Sequence, residues 1–274
     1  MKKIINPIGI GTARFATRKE VDGSFVPYKE EDSKYTESLI HSLDNGQNHI
    51  DLAHIYGGGY TEKLVGRVIK NYDRNDLFIA TKVWKDRTNT KMIVEAVKKG
   101  LDRTGLRYLD LLYLHKRHEN VPLEDYIKGL VKALDLGLTK NIGICVQDLS
   151  TLRQANKISG GKIKYAQINY NLIYKKYLCH NLREYCQKEG IKIVCYSPFS
   201  KGKLFKVSDP AINHIKRKYG ATTAQVALSW LVSQGFWTIP MSFNKKHIDE
   251  NLDSLNFKMD IEDIKYLSEN VDDY

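Results

Sequence analysis

The sequence predicts an α/β fold, a single (β/α)8 TIM barrel domain over residues 1–274, on three observations. Eight short apolar runs recur along the chain, longer amphipathic segments separate them, and no Pro-rich, Gly/Ser-rich or charge-block linker divides it. Parallel strands covered on both faces read as continuous apolar runs, which is the pattern here. An open doubly wound sheet is the competitor, but it usually carries G-x-G-x-x-G after its first strand, and "GIGTAR" lacks that spacing.

The strands are predicted in "NPIGIG", "NHIDLA", "LFIATKV", "LDLLYLH", "NIGICV", "YAQINY", "IKIVCY" and "WTIPM". Between them, "SKYTESLIHSLDNG" sets Leu39, Ile40 and Leu43 on one side of a helix that stops at Gly46. "LEDYIKGLVKALDLG" repeats Ile127, Leu130, Val131 and Leu134 before Gly137, and "TTAQVALSWLVSQG" offers a Thr cap and an apolar face through Val226, Trp230 and Leu231. The polar segment from Arg14 to Lys34 is long for a connection. It follows the first strand, so either it forms a lid that uses Phe25 and Tyr28, or it is a surface loop or peripheral hairpin. A last amphipathic segment runs from Ile261 to Leu267, with no long tail after it to close a pocket, which predicts an open site and a broad substrate range.

Composition excludes several classes of function. The net charge of +11 is spread along the chain among apolar helix positions, so solvated helix faces explain it better than a nucleic-acid surface. No stretch approaches the ~20 apolar residues of a membrane span, and the N-terminus lacks the pattern of a secretion signal. Cys145, Cys179, Cys186 and Cys195 show no metal or disulfide spacing, so free thiols and no metal site are expected. A protein of the reducing cytoplasm follows; a monomer or weak homo-oligomer is expected.

In a parallel barrel the functional mouth lies where strands end. Asp51 closes "HID", Tyr56 lies just beyond, Lys82 closes "FIATK" and His115 closes "LDLLYLH". Alternation puts Lys82 on the face of Ala80, and His115 on that of Leu109, Leu111 and Tyr113. Charged groups at the ends of apolar strands are costly if buried alone, so they need one another or a ligand. Singly each has a bland structural reading; the coincidence of four carries the weight.

Hydride delivery to a carbonyl carbon suits this set, because negative charge builds on oxygen and a proton must arrive there. Tyr56 is the expected acid, Lys82 the ammonium that lowers its pKa, Asp51 the partner of Lys82, and His115 a donor that orients the carbonyl oxygen. A Schiff-base aldolase with Lys82 as nucleophile is an alternative that uses the same residues.

The stretches "HIDLAHIYGGGYTEKLVG", "FIATKVW", "LDLLYLH", "NIGI", "QINYN", "CYSP" and "IPMSFN" together resemble the aldo-keto reductase superfamily, from about Gly9 to Asn256. The resemblance implies an NAD(P)H-dependent reductase of aldehydes or ketones on a (β/α)8 barrel, with Asp51, Tyr56, Lys82 and His115 as its catalytic four. It reads Gly57, Gly58 and Gly59 as a turn into the next helix near Thr61, against the alternative of a phosphate cradle. A regulatory or scaffolding protein of the same fold is the alternative function.

For the cofactor, the resemblance implies that Gln167 bonds the nicotinamide carboxamide and Tyr196 stacks on its ring. Ser197, Phe199 and Lys201 would line the pyrophosphate, and Ser242, Asn244, Glu250 and Asn251 the adenosine end. Ala13 and Trp84 would wall the substrate pocket. Two positions depart from the family's pattern. Where it commonly reads "IGVSN", this chain has Cys145 and Val146 for Ser and Asn. Where it commonly places Lys in "IPK" and Arg six residues later, this chain has Met241 and His247. Lys245 and Lys246 offer other cations for a 2′-phosphate, so NADPH is the expected cofactor and NADH its rival. "HKRHEN" puts Lys116, Arg117 and His118 at the mouth, as a solvated basic loop or as a site for an anionic carbonyl compound.

Overall fold

Eight parallel strands form one sheet in the computed structural model of the protein, which describes residues 4–15, 17–19, 25–27, 29–178 and 180–273. The strands are β1 (Ile10–Gly11), β4 (His49–Asp51), β5 (Phe78–Val83), β6 (Leu111–Leu114), β7 (Ile142–Cys145), β8 (Ile163–Asn169), β9 (Lys192–Tyr196) and β10 (Trp237–Ile239), hydrogen-bonded in that order. A parallel bridge from Ile8 to Thr238 joins the last strand to the first, with Gly9 N donating to Thr238 O over 2.7 Å. All eight expected runs thus become barrel strands, with helices between them.

Period-two alternation divides the core into two layers. Phe78, Ala80, Leu111 and Tyr113 point inward, where Tyr165 and Trp237 join them. Ile79, Leu112, Leu114 and Ile144 point outward and pack on helix residues such as Leu64, Val97 and Leu130. Leu109 departs from the expected inward set: it precedes β6, bridges to Thr139 and joins the outer layer.

The helices follow their end signals. α1 (Asp32–Asp44) ends before Gly46, whose φ of 84° lies in the left-handed region. α4 (Leu123–Asp135) buries Ile127 and Leu130, and α8 (Thr223–Ser233) starts with a reciprocal cap between Thr222 and Gln225. One expected core position is exposed instead. Ile40 is 37 % exposed, since it lies 100° around the helix from Leu39 while Leu43 lies one turn on. Ile261 is 79 % exposed in the first turn of α10 (Ile261–Asn270), which packs through Ile264 and Leu267.

The segment after β1 contains an antiparallel ribbon, β2 (Thr17–Lys19) with β3 (Phe25–Pro27), in line with the hairpin alternative. The ribbon lies against the turn Tyr56–Gly59. Tyr28 and Cys179 lie outside the described residues. Among the described residues Cys145, Cys186 and Cys195 are free thiols, no cluster suits a metal ion, and no helix is long and apolar enough to cross a membrane.

Candidate active site

Asp51 is the last residue of β4, and β4 pairs with β5 so that Asp51 lies opposite Ala80, two residues before Lys82. Both side chains point into the barrel, where Lys82 is 1 % and Asp51 2 % exposed. A buried ammonium needs an acceptor for each of its three N–H groups. Lys82 Nζ has three: it contacts Asp51 Oδ2, donates to the main-chain oxygen of Leu52 over 2.8 Å, and donates to the Tyr56 hydroxyl over 3.4 Å. The Asp51 carboxylate is held from its other side by Gln167 Nε2, which donates to Oδ1 over 2.8 Å. Thr12 Oγ1 fixes the Asp51 carbonyl over 2.8 Å.

Tyr56 reaches this pair because the chain turns sharply after it. Gly57 and Gly58 have φ of 54° and 59°, and Gly59 has 92°, conformations that side chains disfavour. A Cβ at Gly59 would lie 2.6 Å from Arg103 Nε, so the glycine also clears a path for that guanidinium. Arg103 pairs with buried Glu62 over 2.6 Å and reaches His54 Nδ1 over 3.0 Å, while Arg87 approaches His54 Nε2 over 3.2 Å. The loop bearing Tyr56 is thereby tied to α3 (Thr90–Thr104) through its neighbour His54. Nothing in the sequence signalled this network, because its partners are 33 to 49 residues apart.

His115 follows β6, held by its N–H to Val83 O over 2.9 Å. Its ring stands edge-on to Tyr56 with centroids 6.2 Å apart, and Trp84 packs on it at 4.9 Å. Nδ1 is buried without a hydrogen-bond partner among the described residues, which leaves Nε2 as the nitrogen able to serve the cavity. Burial, reinforced by the Lys82 charge, pushes the imidazole pKa down to about 3, so the ring is neutral.

The same forces act on the neighbours. Burial opposes the Lys82 ammonium, but the Asp51 carboxylate more than reverses that, and the pKa is raised. For Tyr56 the outcome corrects the expected lowering: burial raises the phenol pKa more than Lys82 lowers it, so the hydroxyl is held protonated. Burial likewise pushes the Cys145 thiol up to about 12.

A cavity of about 1130 Å³ opens over these groups. Asp51, Tyr56, His115, Ala13, Trp84, Gln167, Tyr196, Ser197, Phe199 and Lys201 all line it, whereas Lys82 lies beneath the surface behind Asp51 and Tyr56. Ser197 and Lys201 have φ of 54° and 56°, and Ser200 has 46°, a strained run that ends at Gly202 with φ of 90°. Arg14, Asp148 and Phe205 line the cavity too, unremarked by sequence motifs. Gln167 keeps only part of its amide for a ligand, since one N–H is committed to Asp51 and Cys145 Sγ lies 3.7 Å from Oε1.

The remaining expected cofactor residues lie outside the cavity lining, around α9 (Lys245–Asp253), which begins just after cavity-lining Met241. Asn244 caps this helix by accepting from Lys246 N over 3.0 Å, and Ser242 Oγ accepts from Asn244 N. His247 is exposed, Glu250 half-buried and Asn251 buried on the inward side of α9.

Comparison with known proteins agrees with this geometry. Residues 7–272 match the model of the Aldo/keto reductase family. Glyoxal reductase of Bacillus subtilis (strain 168) is 30 % identical over 86 % of this chain and 83 % of its own. A thermostable aldo-keto reductase solved with the inhibitor epalrestat superposes with a TM-score of 0.88 at 30 % identity, over 96 % of this chain and 94 % of its own. An aldo-keto reductase, AKR2E5, complexed with NADPH gives 0.83 at 27 % identity, over 98 % of this chain and 85 % of its own. The chain therefore belongs to the aldo/keto reductase family and is an NAD(P)H-dependent oxidoreductase that acts on carbonyl compounds.

Proposed function

We propose that Tyr56 is the proton donor of this reductase and that Asp51, Lys82 and His115 complete its catalytic four. The observation that carries the reading is the Lys82 ammonium, buried between the Asp51 carboxylate and the Tyr56 hydroxyl beneath the cavity. A bound nicotinamide supplies hydride to the carbonyl carbon of an aldehyde or ketone. As charge grows on the carbonyl oxygen, Tyr56 gives that oxygen its phenolic proton, and the nearby ammonium stabilises the tyrosinate left behind. Neutral His115 offers an N–H from Nε2 to the same oxygen and orients it without competing as an acid.

Gln167, Tyr196, Ser197, Phe199 and Lys201 line the same cavity and suit the nicotinamide and pyrophosphate, through an amide, an aromatic face and a cation. Ser242, Asn244, His247, Glu250 and Asn251 would serve the adenosine end around the start of α9. NADPH is the proposed cofactor, with Lys245 and Lys246 in place of the cations that Met241 and His247 lack. Buried thiols at Cys186 and Cys195 suit a reducing cytoplasm, and we read the chain as one domain acting as a monomer or weak homo-oligomer.

The test is to titrate the protein with NADPH and NADH by tryptophan fluorescence, then add aldehydes and ketones and follow absorbance of the reduced cofactor. Binding followed by oxidation supports the reading; full turnover in a Tyr56→Phe variant would sink the role given to Tyr56.

A further inference from the structure

We infer that the loop after β6 forms an anion subsite, with Lys116 and Arg117 selecting carbonyl substrates that carry a carboxylate or phosphate a few bonds from the reacting carbon. This rests on the reductase reading above and names the substrate class of the same site.

The cavity's charged lining is one-sided. Its carboxylates are Asp51, committed to Lys82 and Gln167, and Asp148, whose Oδ1 and Oδ2 accept from Thr151 N and Oγ1 over 2.7 and 2.8 Å at the start of α5 (Leu149–Ile158). Against these stand Arg14, Lys116, Arg117 and Lys201. Lys201 sits in the strained run proposed to hold the cofactor. Neither Arg14, Lys116 nor Arg117 has a carboxylate partner among the described residues, whereas Arg67, Arg74, Arg87 and Arg103 each have one.

Position gives the two loop cations their role. Lys116 and Arg117 follow His115 directly, so an anion they hold lies within a short chain of the carbonyl oxygen that His115 orients. Trp84, packed on His115, and Leu123 supply apolar wall for the carbons between the two ends. Arg14, on the loop after β1, adds to the positive potential of the same cleft. A cleft lined by one sign of charge focuses the field and raises both local concentration and association rate of opposite-sign ligands. Arginine also matches carboxylate or phosphate with a two-pronged donor set.

The experiment compares kcat/KM for matched probes: succinic semialdehyde against butanal for a carboxylate, and glyceraldehyde 3-phosphate against glyceraldehyde for a phosphate. At low ionic strength an anionic member should be favoured about tenfold or more, and the preference should shrink as salt is added. Whichever pair shows the effect identifies the anion. In a Lys116→Gln/Arg117→Gln variant that ratio should fall towards one, a readout that a merely structural role would not move. Turnover of anionic and neutral members at equal kcat/KM would overturn the subsite while leaving the reductase reading intact. A preference that survives the double substitution would overturn its assignment to these residues. Failure to oxidise reduced cofactor with any of the four would remove the reductase reading, and the subsite with it.

Discussion

Lys82 Nζ lies 3.4 Å from the Tyr56 hydroxyl oxygen while it contacts the Asp51 carboxylate, and all three side chains meet at the ends of two adjacent strands. The ammonium is thus fixed from behind by a full charge and left facing the phenol. It cannot leave to find water, because Lys82 is fully buried. The cation is therefore built into the barrel floor, facing the Tyr56 hydroxyl.

Replacing Tyr56 by Phe removes the hydroxyl and little else. Turnover should fall by about 10²- to 10⁴-fold, the usual range for a lost general acid. Cofactor affinity should stay nearly unchanged. Steady-state kinetics and a fluorescence titration on one preparation check both halves.

Lys82→Met leaves the Asp51 carboxylate buried without its cation. A loss of roughly 3–5 kcal/mol in denaturant unfolding is expected, with activity lost as well. Adding Asp51→Asn should restore part of the stability and none of the activity. Equal stability of the single and double variants would argue that water reaches Asp51 freely.

His115 makes stability depend on pH in a defined direction. Its folded pKa of about 3 lies below the ordinary value of 6.5, so between them the unfolded chain binds the proton and the folded one does not. The stabilising contribution is complete above pH 6.5 and is lost progressively as pH falls towards 3. Imidazole proton shifts followed by NMR should show no His115 titration from pH 8 to 5, and a midpoint near 6.5 would contradict the buried, neutral ring.

Cys145 lines the cavity yet should react slowly. With its thiol pKa raised to about 12, alkylation by iodoacetamide at pH 8 should be roughly 100-fold slower than for an ordinary thiol. Peptide mapping of native and denatured protein measures the ratio at this residue.

Met241→Lys together with His247→Arg should shift cofactor choice. Each substitution offers a charge-assisted bond to a 2′-phosphate, and together they should favour NADPH over NADH by about tenfold to a hundredfold. Separate titrations with the two cofactors give the change directly.

The barrel was legible in sequence because its determinants are local. Eight apolar runs, the glycines at positions 46 and 137 and the cap at Thr222 act within a few residues of where they appear. Strand alternation then sent Lys82 and His115 to the inside, since period two leaves only two faces to choose between. The same rule misplaced Leu109, which lies before the strand begins and escapes its pleat. Ile40 was misplaced because apolar character alone does not tell which helix residues meet the sheet.

The amino-acid sequence by itself determined the strand order, the family likeness and the four polar groups at strand ends, for these follow from short-range pattern and motif. The tertiary structure alone decided the electrostatics. Only closure of the barrel brings Gln167 to Asp51 across 116 positions and excludes water from Lys82. Burial then opposes Lys82 at the phenol and keeps His115 neutral. Desolvation depends on what surrounds a group in space, and no spacing along the chain records it.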